Sequence, residues 1–458
     1  MLRCAIQSTL INQPRMTAIH FRNRAYQATK RYLHGTHRTA SPSETLERVR
    51  PYFKSIGLTR IANITGLDKI GIPVTISIRP NSYSVSTSSG KGTTLEAAMV
   101  SAAMESIELY CAETIKLSEI NLSYTQIAEN YQVITLENLP LRENSLFNVN
   151  RPEQWCLGWD ILNQNEVAVP VQIVSMNYHR FWEKDVANLG SFEMGSNGLA
   201  SGNHFLEAVS SALFELIERD AISCHLEAYR KGYGMPGYRM PRVRLETIES
   251  PIIKNLLAKF EAAQVVPILF DCTVDTEISV YRAQIYDPSG NVSSSHGYGT
   301  HLDPEVAMVR ALTEAAQTRA ILISGARDDI FHQYYTVLRL QRNRDVEASI
   351  IESNPPAVDA RGRKSQSTST FEEDIEIILK KLKNSGLNQV IVFDLSPSDW
   401  DISVVRVIVP GLEASFHTKY HPKQRAIAFA ERQLSPVVNP KIGGVRIAET
   451  HRPAGGVV

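Results

Sequence analysis

Cysteine is scarce and scattered. The 458-residue chain holds five, Cys4, Cys111, Cys156, Cys224 and Cys272, and no two of them form a CxxC pair. This excludes a zinc ribbon and a disulfide framework, and it fits a reducing compartment. Net charge is missing too. Lys and Arg number 48 against 48 Asp and Glu, so no bulk field draws the chain to nucleic acid or to an anionic membrane. No apolar run approaches bilayer-spanning length. The 12 histidines show no HExxH or related spacing, so none is marked as a metal ligand. What remains is an ordinary globular composition, 43% hydrophobic and 21% charged, long enough for more than one lobe. A cytoplasmic protein with no nucleic-acid or membrane partner is expected.

Acidic residues are absent from residues 1–40, which carry several Arg and Lys. That composition fits a mitochondrial transit segment, a mobile basic tail, or an extension upstream of a start at Met16. A basic N-terminal tail over 1–40 is the expectation.

Order begins at "SPSETLERVRPYFKSIG". Ser41 and Glu44 have capping-box spacing, Pro42 suits the first helical position and Gly57 suits the stop. Two strand patterns follow, "LTRIANIT" and "GIPVTISIR". The same order recurs: "IIKNLLAKFEAAQ" precedes "VVPILFDC" and "ISVYRAQIYD", and "FEEDIEIILKKLKNSG" precedes "QVIVFDLS" and "ISVVRVIVP". The last two copies align through Phe270-Asp271 with Ile278-Ser279-Val280-x-Arg282, and Phe393-Asp394 with Ile402-Ser403-Val404-x-Arg406. Three helix–strand–strand units joined by short links predict antiparallel sheets and an α+β fold. "WCLGWDILNQNEVAVPVQIVS" reads as a further hairpin, and the polar stretch 359–370 as a mobile loop.

Three segments share one design: glycines, expected in a turn, then a helix bearing polar groups three apart. They are "SSGKGTTLEAAMVSAAMESIELY" with Glu96, Glu105 and Glu108; "NGLASGNHFLEAVSSALFELIERD" with Glu207, Glu215 and Glu218; and "HGYGTHLDPEVAMVRALTEAAQTRA" with Glu305, Glu314 and Gln317. At about 100° per residue, groups three apart lie about 60° apart on one face. The second helix, expected from His204 to about Ile222, is apolar nearly all round, so it should be buried together with its acids. Clustered carboxylates raise one another's pKa unless cations compensate them. Oxygen ligands favour Mg2+ or Ca2+, and Mg2+ usually sits between carboxylates and substrate phosphates. Arg219, Arg310 and Arg319 would then face phosphates, although on a straight helix Arg319 points away from Arg310. A network of Glu–Arg ion pairs is the competing account. "SSGKGTT" is not a P-loop, since Val85 stands where glycine is needed and Gly92 where Ser or Thr is needed. Lys91 remains a candidate phosphate contact.

Together with "VVRVIVPGLE", these three segments resemble the YcaO family, from about Ile64 to about Phe416. The resemblance implies a catalytic domain over 64–416, preceded by a helix and strand (41–63) and followed by a C-terminal helix and tail (417–458). It implies ATP bound through Mg2+ by Glu105, Glu108, Glu207, Glu215 and Glu218, with Arg219, Gln317 and Arg319 near the nucleotide. The chemistry it implies is attack by a peptide amide oxygen on the γ-phosphate of ATP, then displacement of phosphate by a nucleophile. A side chain gives an azoline and a sulfide equivalent gives a thioamide. Azoline-forming members end in Pro-x-Pro-x-Pro, whereas "HRPAGGVV" has one proline. "HGTHRTASPSETLERVRP" and "ITGLDKIGIPV" resemble the TfuA-associated branch. The expectation is thioamide formation on a ribosomally made peptide or protein, in peptide natural product biosynthesis, by a homodimer with a TfuA-type partner; an azoline-forming cyclodehydratase is the alternative within the family. A metal-dependent phosphohydrolase and a nucleotide-binding scaffold subunit are the alternatives from other classes.

Overall fold

The computed structural model describes residues 18–138, 140–142, 145–179, 190–232, 240–287, 292, 294–332, 335, 356–413 and 421–434. The capping box forms. Ser41 Oγ accepts from Glu44 N–H, and the Glu44 carboxylate accepts from Ser41 N–H, opening α1 (Pro42–Val49). Gly57 takes φ +71° and turns the chain toward the first sheet.

Upstream of α1, β1 (Ile19–Phe21) and β2 (Arg24–Tyr26) make a small hairpin. After it come β3 (Arg60–Asn63), β4 (Val74–Ile78) and β5 (Thr87–Lys91), an antiparallel sheet covered by α2 (Leu95–Thr114). Next are β6 (Ile120–Ser123), β7 (Gln132–Val133) and the expected hairpin, β8 (Pro152–Asp160) with β9 (Asn165–Pro170). Strand β10 (Leu199–Gly202) leads into α3 (Phe205–Gly232). The second sheet holds β11 (Arg242–Arg244), β12 (Val266–Asp271), β13 (Ser279–Tyr286), β14 (Ser294–His301) and β15 (Ala357–Asp359), in the order β14-β13-β12-β11-β15. Helix α4 (Pro251–Ala262) precedes β12, and α5 (Pro304–Ser324) follows β14. Helix α6 (Phe371–Asn384), β16 (Ile391–Asp394), β17 (Ser403–Ile408) and α7 (Gln424–Leu434) complete the chain. The largest sheet runs β10-β17-β16-β8-β9-β7, with β6 beside β8. The fold is α+β.

The helix–strand–strand unit recurs as α1-β3-β4, α4-β12-β13 and α6-β16-β17, with each strand pair antiparallel. Each pair also gains a third strand, β5, β14 or β10, and each third strand feeds a glutamate helix. In the last unit β10 and α3 precede the rest of their repeat in the chain, which hides the match from a linear reading.

Gly198 takes the expected turn, with φ +76°, but Gly90, Gly202, Gly297 and Gly299 lie in these third strands. A Cβ on Gly90 would come within 2.1 Å of Ala98 O, one on Gly297 within 2.2 Å of Ala315 N, and one on Gly299 within 2.0 Å of Ala307 O. Glycine on the strand and alanine on the helix let the two backbones touch. Gly299→Ala should therefore push α5 off β14 and destabilise the protein by about 1–3 kcal/mol, as overpacking does. Chemical denaturation of the variant checks this; unchanged stability would mean that the helix has room to move.

Helix α3 answers the question its all-round apolarity raises. Leu206, Val209, Leu213 and Ile217 are fully buried, and the helix packs against β10, β17, β13, β14, α6 and α7. It runs to Gly232, ten residues past the expected end at Ile222, and most of its residues are buried.

Two expectations change. Residues 18–40, expected in a tail, pack on the body: the Lys30 ammonium pairs with Asp374, both side chains 1% exposed. Residues 1–17 lie outside those described. The 359–370 stretch, expected as a mobile loop, is stitched down: Arg363 pairs with Asp271 at 2.6 Å, and Thr368 N–H donates to Asp374 at 2.7 Å. The C-terminal helix expected in 417–458 is α7; the expected tail beyond residue 434 lies outside the described residues.

Candidate functional site

The third strands fix the glutamates. Ser89 N–H on β5 donates to Glu105 on α2 at 2.9 Å. Tyr298 N–H on β14 donates to Glu314 on α5 at 3.2 Å. Gly198 N–H, just before β10, donates to Glu215 on α3. Other contacts tie the units together. Glu108 reaches across to β10, accepting from Ser201 N–H at 2.8 Å and Ser201 Oγ at 2.6 Å. The Gln317 amide donates to Ser89 Oγ at 3.0 Å. Lys91 on β5 pairs with Glu314 at 2.6 Å. Three helices distant in sequence thus meet around one centre.

Electrostatics reports the same convergence. Burial raises the pKa of the Glu108 carboxyl, and the charges of Glu105 and Glu215 add to it against the Ser201 hydroxyl, so that it stands at about 8. Burial also raises Glu105 and Glu215. Glu218 is raised by burial and then by its neighbour Glu314. Burial would raise Glu314 as well, but the adjacent Lys91 outweighs it and holds Glu314 low. Arg219 lies 3.8 Å from Glu215, and the charge of Arg310 acts on Glu215, Glu218 and Glu314.

Glu207 is at the edge. It accepts from Thr39 N–H and Thr39 Oγ1, both at 2.8 Å, and lies 3.7 Å from Arg38. It joins the centre through Arg38, on which Glu108 also acts. Arg319 stands apart: it binds Asp68 at 3.0 Å, Asp287 at 2.9 Å and the Val292 carbonyl. Its direction is the one a straight helix imposes, so it is not brought to the glutamates.

The donor set fits a hard divalent cation. Every candidate ligand is a carboxylate oxygen, and Glu218 Oε2 is buried with no hydrogen-bond partner. An orphaned buried carboxylate oxygen is unfavourable unless a cation or proton meets it. Among the described residues no three acidic, histidine or cysteine groups close into a metal cage by themselves.

Several site residues had no signal in the sequence: Arg38, whose segment read as tail; Ser89 and Ser201, which are backbone-adjacent anchors; and Arg327, whose charge acts on Glu105. Arg406, whose charge acts on Glu215, did have one, as the repeated Ile-Ser-Val-x-Arg.

A pH dependence follows. Glu108 stands near 8 when folded and near about 4.3 when unfolded. Between these values the folded state holds a proton that the unfolded state has released, so stability falls as pH rises through this window. Thermal unfolding without nucleotide or metal should show that slope, and Glu108→Gln should reduce it, leaving the part that Glu218, Glu105 and Glu215 contribute. Equal slopes would place the proton elsewhere.

Comparison with known proteins agrees with this geometry. Residues 89–413 match the family profile of YcaO cyclodehydratase, ATP- and Mg2+-binding. An uncharacterised protein of Methanothermobacter thermautotrophicus is 36% identical over 382 residues, covering 81% of this chain and 94% of its own. A protein of Rhizobium leguminosarum bv. trifolii, named for its place in the tfuA 3' region, is 34% identical over 398 residues, covering 84% and 90%. The structure of YcaO from Methanopyrus kandleri bound with AMPPCP and Mg2+ superposes with a TM-score of 0.66 at 23% identity, over 86% of this chain and 99% of that one. A heterocyclase in complex with substrate and cofactor superposes with a TM-score of 0.71 at 18% identity, over 85% of this chain. This chain spans only 54% of that heterocyclase. Among the described residues no helix is long and apolar enough to cross a membrane. The glutamate helices, the α+β repeat and a profile match over most of the sequence lead to one conclusion: the chain belongs to the YcaO family.

Proposed function

We propose that this chain uses ATP and Mg2+ to activate a backbone amide in a peptide, and that with a TfuA-type partner it makes a thioamide. The observation that carries the first part is the buried, unpartnered Glu218 Oε2 beside Glu314, near further buried glutamates, Glu105, Glu108 and Glu215, whose pKa values burial raises. Glu105, Glu108, Glu215 and Glu218 would hold Mg2+, with Glu207 supporting from the edge. Lys91, Arg219, Arg310 and Gln317 would hold the phosphates. Bound Mg2+ supplies charge neutralisation on the triphosphate. The protein's part is to fix the phosphates, exclude water and present the amide in line, which is most of what phosphoryl transfer needs.

The second part rests on the 34% identical relative named for the tfuA 3' region. Once phosphate is the leaving group, any well-placed nucleophile can complete the exchange, and a partner that delivers sulfur decides which one does. The purified chain should therefore bind Mg–ATP yet modify little alone. With a TfuA-type protein, a sulfide source and the peptide, mass spectrometry should show one amide oxygen replaced by sulfur. Loss of one water without sulfide would make the product an azoline. ATP turnover indifferent to peptide would make the chain a phosphohydrolase.

A further inference from the structure

Among the described residues Arg282, near the centre, makes no ion pair. It lies on β13 and is half-buried, and its Nε is buried without a hydrogen-bond partner. Its guanidinium lies 5.9 Å from the centre of the Phe270 ring. The register sets Tyr298 opposite Arg282, and His296 opposite Gln284, on neighbouring β14. Gly297 and Gly299 press on α5, so the alternation of the strand turns His296, Tyr298, Arg282 and Gln284 to the other face. Gln284 is 3% exposed, and its Oε1 also has no partner. The His296 and Tyr298 rings are 5.3 Å apart. Glu314 and Arg219 both act on Tyr298, so this face borders the glutamate centre.

The internal repeat supplies a comparison. Arg406 occupies the matching place, Ile-Ser-Val-x-Arg, in the next unit. There two carbonyls, of Ile173 and Gly195, accept from its guanidinium and the charge of Glu215 supports it, while its Nη1 is buried without a partner. Arg282 has the same position on the strand and, among the described residues, no such carbonyl partners. A buried guanidinium N–H such as Arg282 Nε is unfavourable without an acceptor, and the planar fork of the group matches an oxyanion.

We propose that Arg282, flanked by Tyr298 and His296, forms an oxyanion subsite beside the glutamate centre that takes one phosphate or carboxylate group. Under the amide-activation reading, on which the identity of the source rests, the anion is either the phosphate released from ATP or a carboxylate of the substrate peptide.

The test is calorimetric titration of the full chain, free of Mg2+ and nucleotide, with inorganic phosphate and separately with acetate. The wild type should bind at least one of them, and Arg282→Gln should weaken that binding at least about tenfold. Phosphate alone identifies the released product as the source, and acetate alone the peptide. The subsite is overturned if the wild type binds neither anion, or if Arg282→Gln binds as the wild type does. If Arg282→Gln does not fold, Arg282→Met is held to the same criterion. A parallel Mg–ATP titration separates the two readings. Arg282→Gln should keep wild-type affinity, and its loss would assign Arg282 to the nucleotide and overturn a separate subsite. A wild type that ignores Mg–ATP would sink amide activation and leave the anion result standing.

Discussion

Glu218→Gln should remove most Mg–ATP binding and leave the fold in place. Glu218 is buried, its Oε2 has no protein partner, and burial together with Glu314 favours its protonated form. Glutamine resembles that protonated carboxyl in volume and charge, so the folded chain should accept it readily. What glutamine lacks is the anion that a divalent cation needs. Loss of one buried charged partner costs about 2–5 kcal/mol of binding, on the order of a thirtyfold or greater fall in affinity. Calorimetry with Mg–ATP reads the affinity, and thermal unfolding reads the fold. Unchanged affinity would make Glu218 one member of an ion-pair network and nothing more.

The largest stability effect should come from residue 30, inside the segment that reads as a tail. Lys30→Ala is expected to destabilise the protein by about 3–5 kcal/mol, the usual result of removing one partner of a buried pair. Burial lowers the Lys30 pKa, with Asp374 opposing, so the pair holds its charge against desolvation. Without the ammonium, Asp374 keeps the Thr368 N–H and the hydroxyls of Ser367 and Thr368 as donors but loses its counter-charge. The damage should spread to the site, because the same segment delivers Arg38 and Thr39 to Glu207. Urea unfolding of Lys30→Ala beside Lys30→Ala/Asp374→Leu separates the causes. The double variant should recover part of the loss; equal stability of Lys30→Ala and wild type would return residues 18–40 to the status of a tail.

What could be read in advance was what depends on period and local chemistry. The Ser41–Glu44 box, the glutamates three apart on α2 and α3, and the apolar circumference of α3 each state a local geometry that the structure keeps. What stayed hidden depends on distance along the chain. Glu108 finds Ser201, Lys91 finds Glu314 and Lys30 finds Asp374, and none of these pairings leaves a periodic trace. Glycines misled for a physical reason. Turns and close strand–helix contacts both need a missing Cβ, and only the alanines on the facing helix, such as Ala98 and Ala307, distinguish the second use.

The split repeat sets the order of events at the ribosome. Helix α3 emerges with its apolar circumference complete, while β16 and β17, which build the sheet it packs on, lie more than a hundred and fifty residues later in the sequence. Until they arrive, Leu206, Leu213 and Ile217 have no permanent cover, and a nascent chain in that condition is prone to aggregate. Such long-range closure is slow. The proposed nucleotide site needs α3 in place, so it can form only when synthesis has passed β17. Chains cut short before that point should be insoluble rather than partly active.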